Sequence, residues 1–294
     1  MHYIMTCSTE MIVSGMGRAE KIDAHQQLWR YTAEEFGWIE EPMAKLRRDF
    51  LADDLTAALA GASIDGTIVV QTRQTMEETH WLLDVADAND AIRGVVGWAP
   101  IAGEEFPGVM EEFDGREKLK GLRHLIRDEK DEHYILREDF NSGIRTLLGS
   151  GLVYEILIHA RQLEDATYFV DEHPEQPFVL DHLATPRIAR GKLEPWAARV
   201  RELARRENVC CKLSGLATEA DWKTWSLETL RPYLYVAVEA FGPERLMVGS
   251  DWPVCLLATE YARWFEVLRA YFAGFSETER DAVFGGTAIA VYGL

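Results

Sequence analysis

The chain lacks any long hydrophobic run: nowhere in its 294 residues do apolar side chains extend for the ~20 positions that span a bilayer. Met1 to Gly17 has neither the basic n-region nor the long apolar core of a secretory signal. It reads as part of a disordered leader over residues 1–20, or as an artefact of a start codon upstream of Met11 or Met16, ahead of one domain over residues 21–294. Basic residues are few, 31 against 49 acidic, and the net charge of −18 with no basic block argues against nucleic acid or an anionic membrane as partner. Cysteine is scarce too. Cys7, Cys210, Cys211 and Cys255 form no CxxC pair and no zinc-ribbon spacing, so they read as reduced core thiols of a cytoplasmic protein. Cys210 and Cys211 are neighbours in one apolar run and should face opposite sides of a strand. No GxGxxG follows the first strand, which removes the usual dinucleotide fingerprint, and no internal repeat or low-complexity tract is present. What remains is a small neutral or mono-anionic molecule as partner, bound by a monomer or a small homo-oligomer.

The hydrophobic fraction, 47%, is enough for a large core, and its arrangement is informative. Gly66-Thr-Ile-Val-Val-Gln, Gly94-Val-Val-Gly-Trp, Val153-Tyr-Glu-Ile-Leu-Ile, Pro177-Phe-Val-Leu, Val209-Cys-Cys-Lys-Leu and Leu246-Met-Val-Gly are continuous apolar runs, as in strands buried on both faces. Lys21 to His25 and the more charged Leu119 to Ile126 complete eight. Between them the apolar period lengthens toward 3.6. Phe50, Leu51, Leu55, Ala58 and Leu59 make one helical stripe, and Trp196, Val200 and Leu203 another. Further helices are expected at 76–88, 139–148, 163–172 and 228–241, then at 261–272 and 277–292 with breaks at Gly274 and Gly285-Gly286. Strands alternating with helices eight times predict an α/β fold, a single (β/α)₈ TIM barrel.

In such a barrel the C-terminal ends of the strands converge on one face, and here those ends are polar. They are His25, Gln71, Trp98, Arg123-His124, His159, His182, Lys212 and Asp251. His25, His159, His182 and Asp251 occupying equivalent positions point to one shared site. Arg123 or Arg161 offers paired donors for a carboxylate or polyol. Only one of Arg123 and His124 should face the pocket. Trp29, Trp98 and Trp252 are candidates for sugar-binding walls, as the aromatic loop Arg30–Arg48 is for a cover. Lys212 either reaches the pocket or pairs with a buried carboxylate. His133 and His173 fall in polar connections and read as solvated. Cys255 has no base beside it.

Ile22-Asp-Ala-His-Gln-Gln-Leu-Trp, Gly121-Leu-Arg-His, Val179-Leu-Asp-His-Leu, Lys212-Leu-Ser-Gly-Leu and Gly249-Ser-Asp-Trp-Pro, in that order, resemble the amidohydrolase-2 branch of the amidohydrolase superfamily. Phe284-Gly-Gly-Thr-Ala resembles its closing motif, with Thr287 where asparagine is usual. Within that branch the chain is most similar to the sugar-lactone and pyrone-lactone hydrolases. The resemblance implies a carboxylic-ester hydrolase opening a sugar-acid lactone, with Asp251 where the superfamily's general base lies.

The departures shape the rest of the expectation. Gln27 replaces the second histidine of His-x-His, and strand 4 ends in Arg123-His124 instead of a metal-bridging residue. These departures argue against a binuclear centre, and the resemblance to the lactonase branch implies hydrolysis without a metal, so the expectation is metal-independent hydrolysis with no cofactor. Asp251, His25 and His182 would be catalytic; Gln27, Trp29, Gln71, Trp98, Arg123, His124, His159, Lys212 and Trp252 would contact substrate. One alternative keeps a single Zn²⁺ or Mn²⁺ on His25, His159 and Asp251, as a hydrolase or a decarboxylase. Another is a barrel that binds a sugar acid without turning it over.

Overall fold

The computed structural model describes residues 18–294. Most of the expected leader lies outside the described residues; Arg18 and Glu20 already pair with Asp65 (2.7 Å) and Arg93 (2.6 Å). Eight parallel strands form one sheet in sequence order: β1 (Ile22–Gln26), β2 (Gly66–Val70), β3 (Ile92–Gly97), β4 (Leu119–His124), β5 (Val153–Ile156), β6 (Phe178–Leu180), β7 (Val209–Leu213) and β8 (Leu246–Val248). Just past β8 the chain bonds back to β1, through Asp251 N–H to the His25 carbonyl (2.8 Å) and Gln27 N–H to the Trp252 carbonyl (2.7 Å). The fold is a single (β/α)₈ barrel.

Each strand is followed by a helix that covers its outer face: α1 (Ala52–Ala62), α2 (Met76–Asp87), α3 (Phe106–Glu111), α4 (Glu138–Leu147), α5 (Leu163–Asp171), α6 (Trp196–Leu203), α7 (Leu227–Phe241) and α8 (Tyr261–Tyr271). Two short helices, α9 (Glu277–Asp281) and α10 (Thr287–Tyr292), end the chain, with a π turn at Ala282–Gly286 where the double glycine predicts the break. Side chains one residue apart on a strand enter different cores. Ile22, Ile68, Val70, Val96, Val153 and Cys210 fill the barrel interior beside Tyr292 of α10. Val69, Val95, Tyr154, Phe178 and Cys211 pack outward against the helices. Cys210 and Cys211 thus face opposite sides. Among the described residues no helix is long and apolar enough to cross a membrane.

His133 is exposed, as the sequence suggests, and pairs with Asp165 at 2.7 Å. His173 is not. It is buried, 6% exposed, with Nε2 2.7 Å from Asn141 Oδ1 on α4. Burial, with Arg145 adding to it, pushes its pKa down to about 4 from an ordinary 6.5. The neutral ring is therefore the native one. Its contribution is fully present above pH 6.5 and is lost as pH falls through 4, a swing on the order of 3 kcal/mol. His173→Gln keeps a donor for Asn141 without titrating there. Its melting temperature should fall less than the wild type's between pH 6.5 and 4 in a pH series of thermal melts.

Candidate active site

Strict alternation along β1 would turn His25 outward, because Ala24 before it faces the interior. A bulge prevents this. Asp23 pairs with Thr67 and Gln26 with Val69, so three steps on β1 match two on β2 and the extra residue re-aims His25 into the barrel. Asp23 stays on the outer side, held by Ser250 Oγ (2.6 Å) and Tyr261 Oη (2.9 Å). Gly249 then passes so close to β1 that a Cβ there would lie 2.6 Å from the Cβ of His25 and 3.1 Å from that of Ser214. Gly249→Ala should cost ~1–3 kcal/mol by overpacking and lower turnover by displacing His25; a thermal melt and a rate assay on one preparation check both.

Two other candidate site residues stand on strained backbone. Asp251 has φ 57°, and His182, Leu183, Ala184 and Thr185 form a run in the left-handed region, φ 46–57°. Such conformations cost non-glycine residues ~1–2 kcal/mol each and concentrate at functional sites. The run closes with Thr185 N–H donating to the His182 carbonyl (2.9 Å), and it brings the His182 ring to 4.5 Å from that of His25.

Beneath these groups lies a sealed ionic layer. Lys212 Nζ sits 2.6 Å from Glu155 Oε1 and 3.2 Å from Asp181 Oδ1, while Arg123 donates to Asp181 Oδ2 (2.8 Å) and to the Gln71 carbonyl (2.5 Å). Burial opposes ionisation of Asp181, but Lys212, His25 and Arg123 outweigh it and hold its pKa well below the usual carboxylate range. Burial, seconded by Asp181, pushes Glu155 up to about 7. Lys212 Nζ also lies 3.2 Å from His25 Nδ1. Asp181 Oδ1 lies 3.5 Å from the same nitrogen and would accept a hydrogen from it, so Nδ1 stands between a donor and an acceptor and either ring tautomer is open to His25. His25 Nε2 is buried without a hydrogen-bond partner, 3.8 Å from Asp251 Oδ1. Burial and Lys212 keep this imidazole neutral, and burial brings His182 down to about 3. His182 Nδ1 is 2.7 Å from Ser214 Oγ.

Above the layer opens a cavity of about 360 Å³. Of the residues expected to contact substrate or act on it, Gln27, Arg123, His182 and Asp251 line this cavity, and His25 is fully buried beside Asp251, its Nε2 3.8 Å from Oδ1. Asp251 is driven up to about 7 by burial, with Asp181 and Asp23 reinforcing and Arg127 and Arg123 opposing.

The others do not line it, each for a definable reason. Lys212 and Gln71 are fully buried below; Gln71 Nε2 donates to the Arg123 carbonyl (3.1 Å). His124 points outward, stacked on Tyr134 with Nε2 at 2.7 Å from Glu129, and Trp98 Nε1 donates to its Nδ1 (3.2 Å). Trp29 packs on Phe36 and Phe50, and Trp252 on Phe50, all in the core. His159 turns to Thr185 Oγ1 (3.1 Å) and faces a neighbouring cavity, as does Arg161.

Sequence reasoning missed Arg127, Trp222, Asp181 and Glu155. Arg127 and Trp222 stand on loops beyond strand ends, where no periodicity marks them. Asp181 precedes His182 in a quoted motif, and Glu155 is the lone acid in its strand; a charge inside an apolar run was the available signal. Trp38 and Met43 of the aromatic loop do reach the cavity wall.

The class is thus a (β/α)₈ enzyme barrel with a polar pocket at its strand C-terminal ends. The chain belongs to the amidohydrolase family, which matches residues 22–294, and is a hydrolase. It is 39% identical over 293 residues to L-fucono-1,5-lactonase of Burkholderia multivorans, covering 94% of this chain and 97% of that one. It is 34% identical over 278 residues to L-fucono-1,5-lactonase of Burkholderia ambifaria, covering 92% and 95%. A crystal structure of an amidohydrolase from Burkholderia multivorans with bound zinc aligns at a TM-score of 0.91 and 39% identity, covering 94% of this chain and all of that one.

That zinc corrects the expectation of no cofactor. The correction has a local counterpart, because His25, Asp181 and His182 each offer a ligand atom and these lie within 4.8 Å of one another. The set fits a divalent ion: two neutral imidazoles and an ionised carboxylate, with His25 Nε2 buried and unpartnered. The ligand group that the geometry assembles differs from the alternative set of His25, His159 and Asp251, in that His159 turns to Thr185 Oγ1 (3.1 Å). A neutral Gln27 is no obstacle, because Asp181 and His182 supply what it cannot.

Proposed function

We propose that this enzyme hydrolyses the lactone of a sugar acid, a 1,4- or 1,5-aldonolactone, with Asp251 as the general base. The observation that carries the reading is Asp251 itself. It is a buried carboxylate on the cavity wall, raised to about 7 and held on left-handed backbone beside His25. A base with a pKa near the working pH combines availability with driving force. The similarity to two proteins named L-fucono-1,5-lactonase supports the substrate class.

Asp251 takes a proton from water as the water oxygen bonds to the ring carbonyl carbon. The tetrahedral adduct collapses by breaking the bond from that carbon to the ring oxygen, and Asp251 returns the proton to the departing alkoxide. Gln27 and Arg127 line the same cavity and supply donors for the developing oxyanion and the ring hydroxyls. Trp38, Met43 and Trp222 present apolar faces to the C–H side of a sugar. His25, Asp181 and His182 are the residues that would hold a divalent ion, which when bound supplies Lewis-acid polarisation of the carbonyl. The cavity, about 360 Å³, is within the usual range for a small-molecule site.

A panel of aldonolactones followed with a pH indicator tests the proposal. Acid release above the spontaneous rate on at least one member is expected. Silence across the panel, with thermal stabilisation by the same compounds, would replace the enzyme with a sugar-acid-binding barrel.

A further inference from the structure

A second cavity of about 380 Å³ adjoins the first, and its chemistry is opposite to that of the whole molecule. The chain carries −18. Yet Arg161, Arg187, Arg190, Lys192 and Arg199 line this cavity, together with His159, against Glu194 and Glu219 alone. Arg161 and Arg199 are engaged by Glu132 (3.1 Å) and Glu164 (2.6 Å). Arg187, Arg190 and Lys192 have no side-chain hydrogen bond or ion pair among the described residues, so three of the cations that line the concavity are not neutralised by direct contact, and Glu194 and Glu219 are the only acids in its lining. Such a cluster in an acidic protein focuses a positive potential locally. Guanidinium pairs also suit the planar oxygens of carboxylate and phosphate.

The position matters as much as the charge. Thr185 and Glu219 line both cavities, so the left-handed turn ending at Thr185 is a shared wall. Glu219 is half-buried there and feels both Arg127 of the first cavity and Arg187 of the second.

We infer that this basic cavity is an oxyanion site, which takes a carboxylate or phosphate group adjacent to the lactone pocket. That group is borne either by the substrate, as a second acidic function distal to the ring, or by a separate small anion. Its link to catalysis rests on the lactonase reading; the binding itself does not.

Calorimetric titration of inorganic phosphate and of malonate into the full chain at low ionic strength tests the binding. Arg187→Glu with Arg190→Glu should weaken both ligands at least tenfold while the variant hydrolyses a neutral aldonolactone within twofold of wild type. Equal affinity in wild type and variant, or no binding to either, would overturn the site whatever the enzyme's activity. The source follows from rates on a neutral aldonolactone and on one carrying a distal carboxylate or phosphate. If the substrate bears the group, the double variant loses at least tenfold in kcat/KM on the acidic lactone alone. If a separate anion occupies the site, both lactones respond equally and only the calorimetric affinity falls. A double variant that unfolds is replaced by Arg190→Gln, which should still weaken malonate measurably; unchanged affinity there overturns the site equally.

Discussion

Asp251→Asn should lower kcat/KM on a responsive lactone by about 10²–10⁴-fold, the usual contribution of a positioned general base, without lowering the melting temperature. The backbone explains the second half. Asp251 N–H donates to the His25 carbonyl and its own carbonyl accepts from Cys255 N–H, both at 2.8 Å, so the main chain is anchored independently of the carboxylate. Asparagine tolerates the left-handed conformation that Asp251 adopts, φ 57°. It also removes a buried acid whose pKa burial has raised to about 7. Above that pH the ionised form is disfavoured in the fold relative to the unfolded chain, so a neutral amide relieves a cost. Steady-state acid release and a thermal melt on the same preparation measure both effects. Near-native turnover on every lactone would remove Asp251 from the chemistry.

Lys212→Met should be the most destabilising single change in the barrel, by ~3–5 kcal/mol, the range for breaking a buried ion pair by deleting one partner. Lys212, Glu155 and Asp181 are all without solvent exposure, and Arg123 alone would remain as a cation against two carboxylates. Tyr292 Oη donates to Glu155 Oε1 at 2.5 Å, so the loss propagates to α10, which plugs the barrel base. For a chain of this size each kcal/mol shifts the melting temperature by ~2–4 °C, which predicts a drop of ~10 °C in calorimetry. Adding Glu155→Gln to Lys212→Met should recover part of it, because one uncompensated carboxylate is then removed. A single variant as stable as wild type would mean that the layer is not held by charge.

The parts of this architecture that repeat with a fixed period are the parts legible in the chain. Eight strands and most of the helices follow from runs of β-branched residues and stripes at 3.6 spacing, down to the break at Gly285-Gly286. Phe106–Glu111 escapes because Pro107 and Gly108 fall in a helix of only six residues, too short to show a stripe. Alternation correctly separates Cys210 from Cys211 and Arg123 from His124, whereas it would turn His25 outward, because the bulge in β1 shifts parity by one. The site is legible as a set of strand ends and not as a geometry. That His159 leaves the shared pocket depends on its contact with Thr185, a residue held by a left-handed turn that no local pattern announces. The metal expectation failed for a related reason. It rests on Gln27, on Arg123-His124 at the end of β4 and on the lactonase resemblance, while the ligand group that the fold assembles takes Asp181 and His182 from the end of β6.

In the proposed reaction, water activated at Asp251 attacks the ring carbonyl of a sugar-acid lactone in this pocket. Turnover of the best lactone in ¹⁸O-labelled water at catalytic protein concentration, compared with Asp251→Asn and with the uncatalysed reaction, tests it most directly. The expected result is one labelled oxygen in the carboxylate of each acid formed, an unlabelled hydroxyl from the former ring oxygen, and a rate well above background only for the wild type. Label in the hydroxyl, or no rate above background on any lactone, would contradict it.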